Sequence, residues 1–169
     1  MGDAKWAEKS ILTLYEKNIV KGDGTNFYPN NKVTRAEFLK MVVLFFNLEK
    51  EDATLNFYDV NENDWYYDYV LTAYSNGVVN GVNDKEFNPD GFITRQDMAV
   101  IFYRAAICAG KTFDGGDMAF LDKNDVADYA KEAVAALSKM GIVNGYDNKF
   151  YPSDSTTRAQ AAQILYNML

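Results

Sequence analysis

The chain has 169 residues, a net charge of −7, one cysteine and no histidine. Such a surface repels nucleic acid and anionic membranes, and no apolar run approaches the roughly 18 residues a spanning helix needs. Without histidine there is no Ser-His-Asp or Cys-His nucleophile system and no histidine-bearing metal site.

The first predicted element follows Trp6, where Ile11, Leu14 and Tyr15 fall on one face of a 3.6-residue period. It ends at a turn, Asn18-Ile-Val-Lys-Gly22, with Asn18 where a helix C-terminus accepts positive φ. A polar loop holding Phe27-Tyr28-Pro29 leads to Thr34-Arg-Ala-Glu37, a capping box that opens a second helix with core residues Phe38, Val42, Phe45 and Phe46. After a charged linker, Asn47–Asn56, and a lead-in, Phe57-x-Asp59, the same series returns. It runs through Trp65, an apolar face of Val70, Ala73 and Tyr74, the turn Gly77-Val-Val-Asn-Gly81, Phe87-Asn-Pro89, Thr94-Arg95 and a face of Met98, Ile101, Phe102 and Ala105. A glycine-containing linker, Cys108–Ala119, precedes the third series. That one has Phe120-x-Asp122, Tyr129, Val134, Leu137 and Ser138, the turn Gly141-Ile-Val-Asn-Gly145, Phe150-Tyr-Pro152, Thr157-Arg158 and Ala161, Ile164, Leu165 and Met168. The three arginines are 60 and 63 residues apart, as are the three prolines. Only the first unit lacks the Phe-x-Asp lead-in.

The chain is therefore a threefold repeat of helix, turn, loop and helix. A unit of about 50 residues buries too little core to stand alone, so the three are expected to pack as one body. Cys108 reads as a small buried residue at a helix end. No signal-peptide pattern stands at the start, and Met1-Gly-Asp-Ala-Lys-Trp6 reads as a cut within the first unit. Asp59, Glu62, Asp64, Asp68, Asp84 and Asp90 are scattered, supply no catalytic pair and read as solvated loop charge. Asp23-Gly-Thr-Asn26 and Asn83-Asp-Lys-Glu86 fail the EF-hand register and read as turns. No metal, cofactor or catalytic residue is expected.

The repeated arginine is the informative residue, because a cation in the first turn opposes the helix dipole by roughly 0.3–1 kcal/mol. Arg35, Arg95 and Arg158 each place a guanidinium, which forks onto carboxylate or phosphate, beside helix-start N–H groups that attract anions. Two readings stand: anion binding, or a bridge to an Asp or Glu of a neighbouring unit. A carboxylate facing each arginine would favour the bridge, and open grooves would favour a ligand. In the pairs Lys21-Gly22, Asn80-Gly81 and Asn144-Gly145 the glycine lies 13 or 14 residues before the arginine. Each could contact a sugar hydroxyl or acetamido group, or simply turn the chain. Trp6 and Trp65 could face a sugar ring or pack at the helix start.

On these residues the chain resembles three tandem S-layer homology domains. The resemblance rests on Val33-Thr-Arg-Ala-Glu37, Trp6-Ala-Glu-Lys-Ser-Ile11, Phe57-Tyr-Asp-Val60 and the Gly-[Ile/Val]-Val-Asn-Gly turns. It divides the chain into repeats at 1–47, 57–108 and 120–169 forming one module. It implies an all-α, mainly helical fold with long loops: a pseudo-threefold, three-pronged spindle around a central three-helix bundle. It further implies a non-enzymatic module on the bacterial cell surface, anchoring a longer extracellular protein to a peptidoglycan-linked secondary cell-wall polymer that commonly carries pyruvate ketals. In the family the ligand lies in grooves between repeats. Carried over by position, Arg35, Arg95 and Arg158 meet the pyruvyl carboxylate. Lys21, Gly22, Asn80, Gly81, Asn144 and Gly145 contact the sugar, and Trp6, Trp65 and Tyr129 close the grooves. The alternative function is protein–protein assembly within a surface layer, with the arginines as inter-repeat bridges.

The copies also depart from the family pattern. Lysine stands in the first polar-glycine pair, Gln96-Asp97 in the second signature, and Tyr129 and Gln160 in the third unit. The three grooves are therefore expected to be inequivalent, with the one around Arg158 the least secure. Several grooves on one polymer would raise avidity by 10² or more, roughly, over a single site.

Overall fold

The computed structural model describes residues 2–169. Six α-helices carry the fold: α1 (Glu8–Glu16), α2 (Arg35–Phe46), α3 (Tyr67–Ser75), α4 (Arg95–Cys108), α5 (Lys131–Lys139) and α6 (Arg158–Asn167). Short 3₁₀ segments lie at Gly2–Ala7, Lys123–Asp125 and Asp128–Ala130. Among the described residues the extended pairings are isolated bridges, so the fold is mainly helical with long loops, as the periodicity predicts. None of these helices is long and apolar enough to cross a membrane.

The first helix of each repeat (α1, α3, α5) stops at a left-handed residue: Asn18 (φ 59°), Gly77 (φ 68°) or Gly141 (φ 70°). In each case the next N–H reaches back five residues, from Ile19 to Leu14 O (2.9 Å), Val78 to Ala73 O (2.8 Å) and Ile142 to Leu137 O (2.9 Å). Such closure satisfies carbonyls that a helix end leaves unpaired and turns the chain sharply. Ile11, Leu14, Val70, Ala73, Val134 and Leu137 are buried, as their spacing requires. Tyr15 breaks the expected face and is exposed. Its counterpart Tyr74 packs edge-on against Phe57 of the lead-in (5.4 Å), a ring the first repeat does not have.

The second helices (α2, α4, α6) start at threonine caps. Thr34 and Thr157 form full capping boxes with Glu37 and Gln160. Thr94 accepts only the Asp97 N–H, at 3.2 Å. The Asp97 side chain is shorter than glutamate by one methylene, and it accepts from the Tyr129 hydroxyl (2.7 Å) instead. These helices bury residues on more than one face, as in Phe38, Leu39 and Val42 of α2 or Met98, Phe102 and Ala105 of α4. Helices hydrophobic on several sides belong at the centre of a fold, and α2 packs on both α4 and α6. The first helices then pack across repeats, α3 on α2, α5 on α4 and α1 on α6. Each unit thus completes its predecessor, which is why no unit has a core of its own.

On the pseudo-threefold axis the residues before the capping threonines form a closed ring of hydrogen bonds. The Val33 N–H donates to Thr156 O (2.9 Å), Thr156 N–H to Ile93 O (3.0 Å) and Ile93 N–H to Val33 O (3.1 Å). All three side chains are fully buried, and Thr156 Oγ1 has no hydrogen-bond partner. Burying an unpaired hydroxyl costs about 1–3 kcal/mol. Thr156→Val keeps the shape and removes that polar atom, so it is expected to stabilise the protein by about 1–2 kcal/mol. Thermal unfolding should show the midpoint raised by roughly 2–8 °C. A lowered midpoint would mean that a buried water pairs the hydroxyl.

The lead-ins Phe57-x-Asp59 and Phe120-x-Asp122 brace the Phe-x-Pro loops. Asp59 accepts from the N–H groups of Phe87 (2.9 Å) and Asn88 (2.7 Å). Asp122 does the same for Phe150 (2.8 Å) and Tyr151 (2.7 Å). Burial pushes the Asp122 carboxyl up, but the two N–H bonds outweigh it and leave the group below its ordinary value. The braced loops hold Asn88 (φ 59°) and Tyr151 (φ 57°) in the left-handed region. Cys108, expected to be buried, ends α4 exposed, with its Sγ 3.3 Å from Asn76 Oδ1.

Candidate ligand-binding grooves

The Thr-Arg arginines do not sit at open helix starts. The first two N–H groups of each second helix donate to the loop of the next repeat in a cyclic order. Arg35 and Ala36 bond Gly91 O (2.9 Å) and Pro89 O (3.0 Å), and Arg95 and Gln96 bond Asp154 O (2.9 Å) and Pro152 O (3.0 Å). Arg158 and Ala159 close the cycle on Asn31 O and Pro29 O, both at 2.9 Å. The expectation that these amides attract an anion is therefore overturned: they are committed to the protein. Whatever anion-binding power the site has must come from the guanidinium.

Each guanidinium is fixed by the next repeat's Phe-x-Pro loop. Arg35, Arg95 and Arg158 stack on Phe87, Phe150 and Phe27 with centroid distances of 5.1, 5.0 and 4.6 Å. Their Nε atoms donate to the carbonyls of the same residues at 3.0, 2.7 and 3.1 Å. Cation–π stacking, worth up to about 2 kcal/mol when desolvated, explains the phenylalanine three times over. It also explains how the first turn tolerates a cation: the charge is led away from the dipole onto a ring. Burial pulls Arg35 and Arg95 below the ordinary arginine value, opposed by Asp97 for Arg35 and by Asp154 and Asp122 for Arg95. Both remain charged, since arginine does not lose its proton in proteins.

The polar-glycine turn of the next repeat lies against the arginine. Arg95 Nη2 donates to Asn144 O (2.9 Å) and Arg158 Nη2 to Lys21 O (2.6 Å). A backbone need accounts for the glycines at 81 and 145, where a Cβ would fall 2.2–2.3 Å from the carbonyl oxygens of Asn83, Glu86 or Lys149. The third wall is an aromatic from the remaining repeat, so every groove draws on all three units. Arg35, Asn80, Gly81, Asp97 and Tyr129 line one of about 450 Å³. Arg95, Asn144, Gly145, Gln160 and Trp6 line one of about 600 Å³. Arg158, Lys21, Glu37 and Trp65 line the smallest, about 240 Å³, while Gly22 lies in an adjoining recess with Lys21 and Arg158. Trp6, Trp65 and Tyr129 are 56%, 55% and 56% exposed, so none is packing filler.

The three grooves differ at the third helical residue of the facing repeat. Arg35 Nη1 lies 3.9 Å from Asp97, and Arg158 Nη1 lies 3.4 Å from Glu37. Arg95 faces Gln160 and has no ion pair among the described residues. The aromatics differ too. Tyr129 is tied to Asp97 through its hydroxyl, which burial and that carboxylate push up to about 12. The Trp65 face is covered by Lys40 Nζ at 5.6 Å. Lys40, Gln160, Gln163 and Asn167 complete the groove walls, and only their positions on the outward face of the second helices mark them in the sequence.

A family model for the S-layer homology domain matches residues 2–39, 56–99 and 119–162. The chain is 38% identical over 168 residues to an amylopullulanase of Thermoanaerobacterium thermosulfurigenes, covering 97% of this chain and 9% of that protein. It is 32% identical to the S-layer protein sap of Bacillus anthracis, covering 95% and 20%. It is 27% identical to a cellulosome-anchoring protein of Acetivibrio thermocellus, covering 86% and 34%. The chain thus spans at most about a third of these relatives.

Proposed function

This chain belongs to the S-layer homology domain family, and we propose on that footing that it is a cell-wall anchoring module which holds an anionic wall polymer, led by the groove around Arg95. Its place is the bacterial cell surface, and chemistry, where the parent protein has any, belongs to other domains. The relatives fit that role: an S-layer protein, a cellulosome-anchoring protein and a large polysaccharide-acting enzyme share a segment of this length.

The observation that carries the reading is the state of Arg95. Its guanidinium is aimed by Phe150 and Asn144 yet has no carboxylate partner among the described residues, at the mouth of the largest of the three grooves. A desolvated guanidinium fork with unused donors suits one carboxylate in bidentate contact. The lining also carries four neutral amides, Gln160, Gln163, Asn167 and Asn144, the exposed ring of Trp6, and one carboxylate, Asp154, which is beyond ion-pair distance of Arg95. Neutral amides beside an aromatic face and one cation match a singly charged, acetamido-bearing sugar, the chemistry of a pyruvylated N-acetylhexosamine. Arg35 and Arg158 carry internal carboxylates that a ligand must displace, so those grooves are secondary. Their ion pairs join repeats within the chain, which supports a bridging role for these two arginines alongside binding.

Titration with purified wall polymer, intact and stripped of its ketals, tests the assignment. Binding to the intact polymer alone is expected. Equal binding to both would sink the carboxylate mechanism, and binding to neither would sink the anchor.

A further inference from the structure

The groove around Arg158 differs from the other two in kind. Lys21, Lys40 and Arg158 line it against a single carboxylate, Glu37. Arg35 and Arg104 face Asp97 in one sister groove, and Arg95 faces Asp154 in the other, so the excess of cations is largest here. An adjoining recess of about 360 Å³ shares Lys21 and Arg158 and adds Lys32. This concentration of positive charge stands on a chain whose net charge is −7.

Position by position, the lysines belong to this groove alone. Residues 40, 100 and 163 each lie five beyond a Thr-Arg arginine, and they are lysine, valine and glutamine. Residues 32, 92 and 155 each lie three beyond a Phe-x-Pro proline, and they are lysine, phenylalanine and serine. With Lys21 set against Asn80 and Asn144, the first repeat has lysine at three positions where neither sister carries a charge. None of the three forms an ion pair among the described residues. Lys40 Nζ rests instead over the rings of Trp65 and Tyr69, at 5.6 and 5.5 Å, and Lys32 Nζ over Phe92 at 5.4 Å. Such stacking is weak at an exposed site, so an anion can draw the ammonium away. The two nearby carboxylates are already engaged. Glu37 accepts from the Thr34 N–H (2.9 Å) and faces Arg158 Nη1 (3.4 Å). Asp23 accepts from the Tyr28 hydroxyl and the Asn26 and Thr25 N–H groups, which hold its carboxyl down at about 2.

We infer, on the footing that the module holds a wall polymer, that this groove and its recess bind the phosphodiester backbone of a polyol phosphate chain. The donors decide the chemistry. Arg158 spends Nε on Phe27 O, Nη2 on Lys21 O and Nη1 on Glu37, so no free fork is left for a planar carboxylate. The remaining cations are ammonium groups, point charges with freely directed donors. They come from a turn, a loop and α2, and a tetrahedral phosphoryl group offers oxygens in several directions to meet them. At about 240 Å³ against about 600 Å³ around Arg95, the groove suits a slender chain better than a substituted hexose. Because groove and recess share Lys21 and Arg158, a strand crossing from one to the other meets cations throughout, as successive phosphates require.

The two tryptophans report on the two grooves separately, since Trp6 lines the one around Arg95 and Trp65 this one. In a nitrogen-15 labelled sample, poly(glycerol phosphate) should shift the Trp65 indole N–H signal, as Lys40 leaves the ring, and leave that of Trp6 in place. Lys21→Asn, Lys32→Ser and Lys40→Gln together install the residue types that repeat three carries at Asn144, Ser155 and Gln163. The triple variant should bind the phosphate chain about 10- to 100-fold more weakly and with a flatter salt dependence. Lys40→Gln alone, decisive if the triple variant melts early, should lose about threefold. An unmoved Trp65 signal, or undiminished binding by these variants, would overturn the inference. So would equal binding of poly-L-glutamate of matched length, which would show that the groove counts charge and does not read phosphate. Pyruvylated polymer is followed at the Trp6 signal: silence there sinks the assignment of Arg95, whereas silence at Trp65 with a response at Trp6 sinks only this one.

Discussion

Replacing Arg95 with alanine is expected to weaken binding of a pyruvylated wall polymer by about 10- to 100-fold, the effect of losing one charge-assisted contact of roughly 1.5–3 kcal/mol. The same change at Arg35 or Arg158 should cost less than tenfold, because each of those guanidinium groups already spends part of its charge on Asp97 or Glu37. Arg95→Lys should recover little, since an ammonium cannot both donate sideways to Phe150 O and Asn144 O and present a planar fork. Calorimetric titration of the three alanine variants against one polymer preparation gives the ranking. Equal losses at all three positions would show that the internal carboxylates do not compete with the ligand. An intact unfolding transition for Arg95→Ala is needed beside it, because the side chain also pins repeat two to the loop of repeat three.

Phe150→Ala is expected to be the most damaging single change to stability, at about 3–5 kcal/mol. The ring is fully buried, stacks on Phe120 at 5.5 Å and lies under the Arg95 guanidinium at 5.0 Å. Its loss opens a cavity and frees the arginine, so the thermal midpoint should fall by on the order of 10 °C and polymer affinity should fall with it. Phe27→Ala should cost less, because Phe27 is only half-buried and has no lead-in ring beside it. Comparison of the two midpoints tests whether the lead-in, rather than the arginine, sets the difference; equal losses would argue that it does not.

Local features were legible in the sequence because a few neighbouring residues determine them. Thr34 and Thr157 cap where the spacing to Glu37 and Gln160 says they should, and Asn18 takes positive φ just as Gly77 and Gly141 do. The apolar faces were legible for the same reason, apart from Tyr15, whose exposure depends on a ring that one repeat lacks. What could not be read from the residues alone was the offset between repeats. The arginine of one unit, the turn of the next and the aromatic of the third meet because the units close around an axis, and no spacing within a unit encodes that. The fate of the helix-start amides was hidden likewise, since their acceptors, Pro29, Pro89 and Pro152 among them, lie dozens of residues away. In the sequence Gln160 stands out only as a departure from the family pattern in the third unit. Its neutrality matters to the proposed binding only because it faces Arg95, a placement that the spacing within one repeat does not encode.

The ring formed by Val33, Ile93 and Thr156 uses one donor and one acceptor from each unit, and none is left over. An open stack of repeats can be lengthened, but a closed triangle cannot, so copy number is set at three. A fourth unit appended to the chain would find no edge to join and would hang loose. Order, by contrast, is free. Because α1 and the Gly2–Ala7 segment already lie against α6, the first and last elements are neighbours. A circular permutant opened within the 109–119 linker and sealed across the old termini would keep the same three contacts in the same rotation.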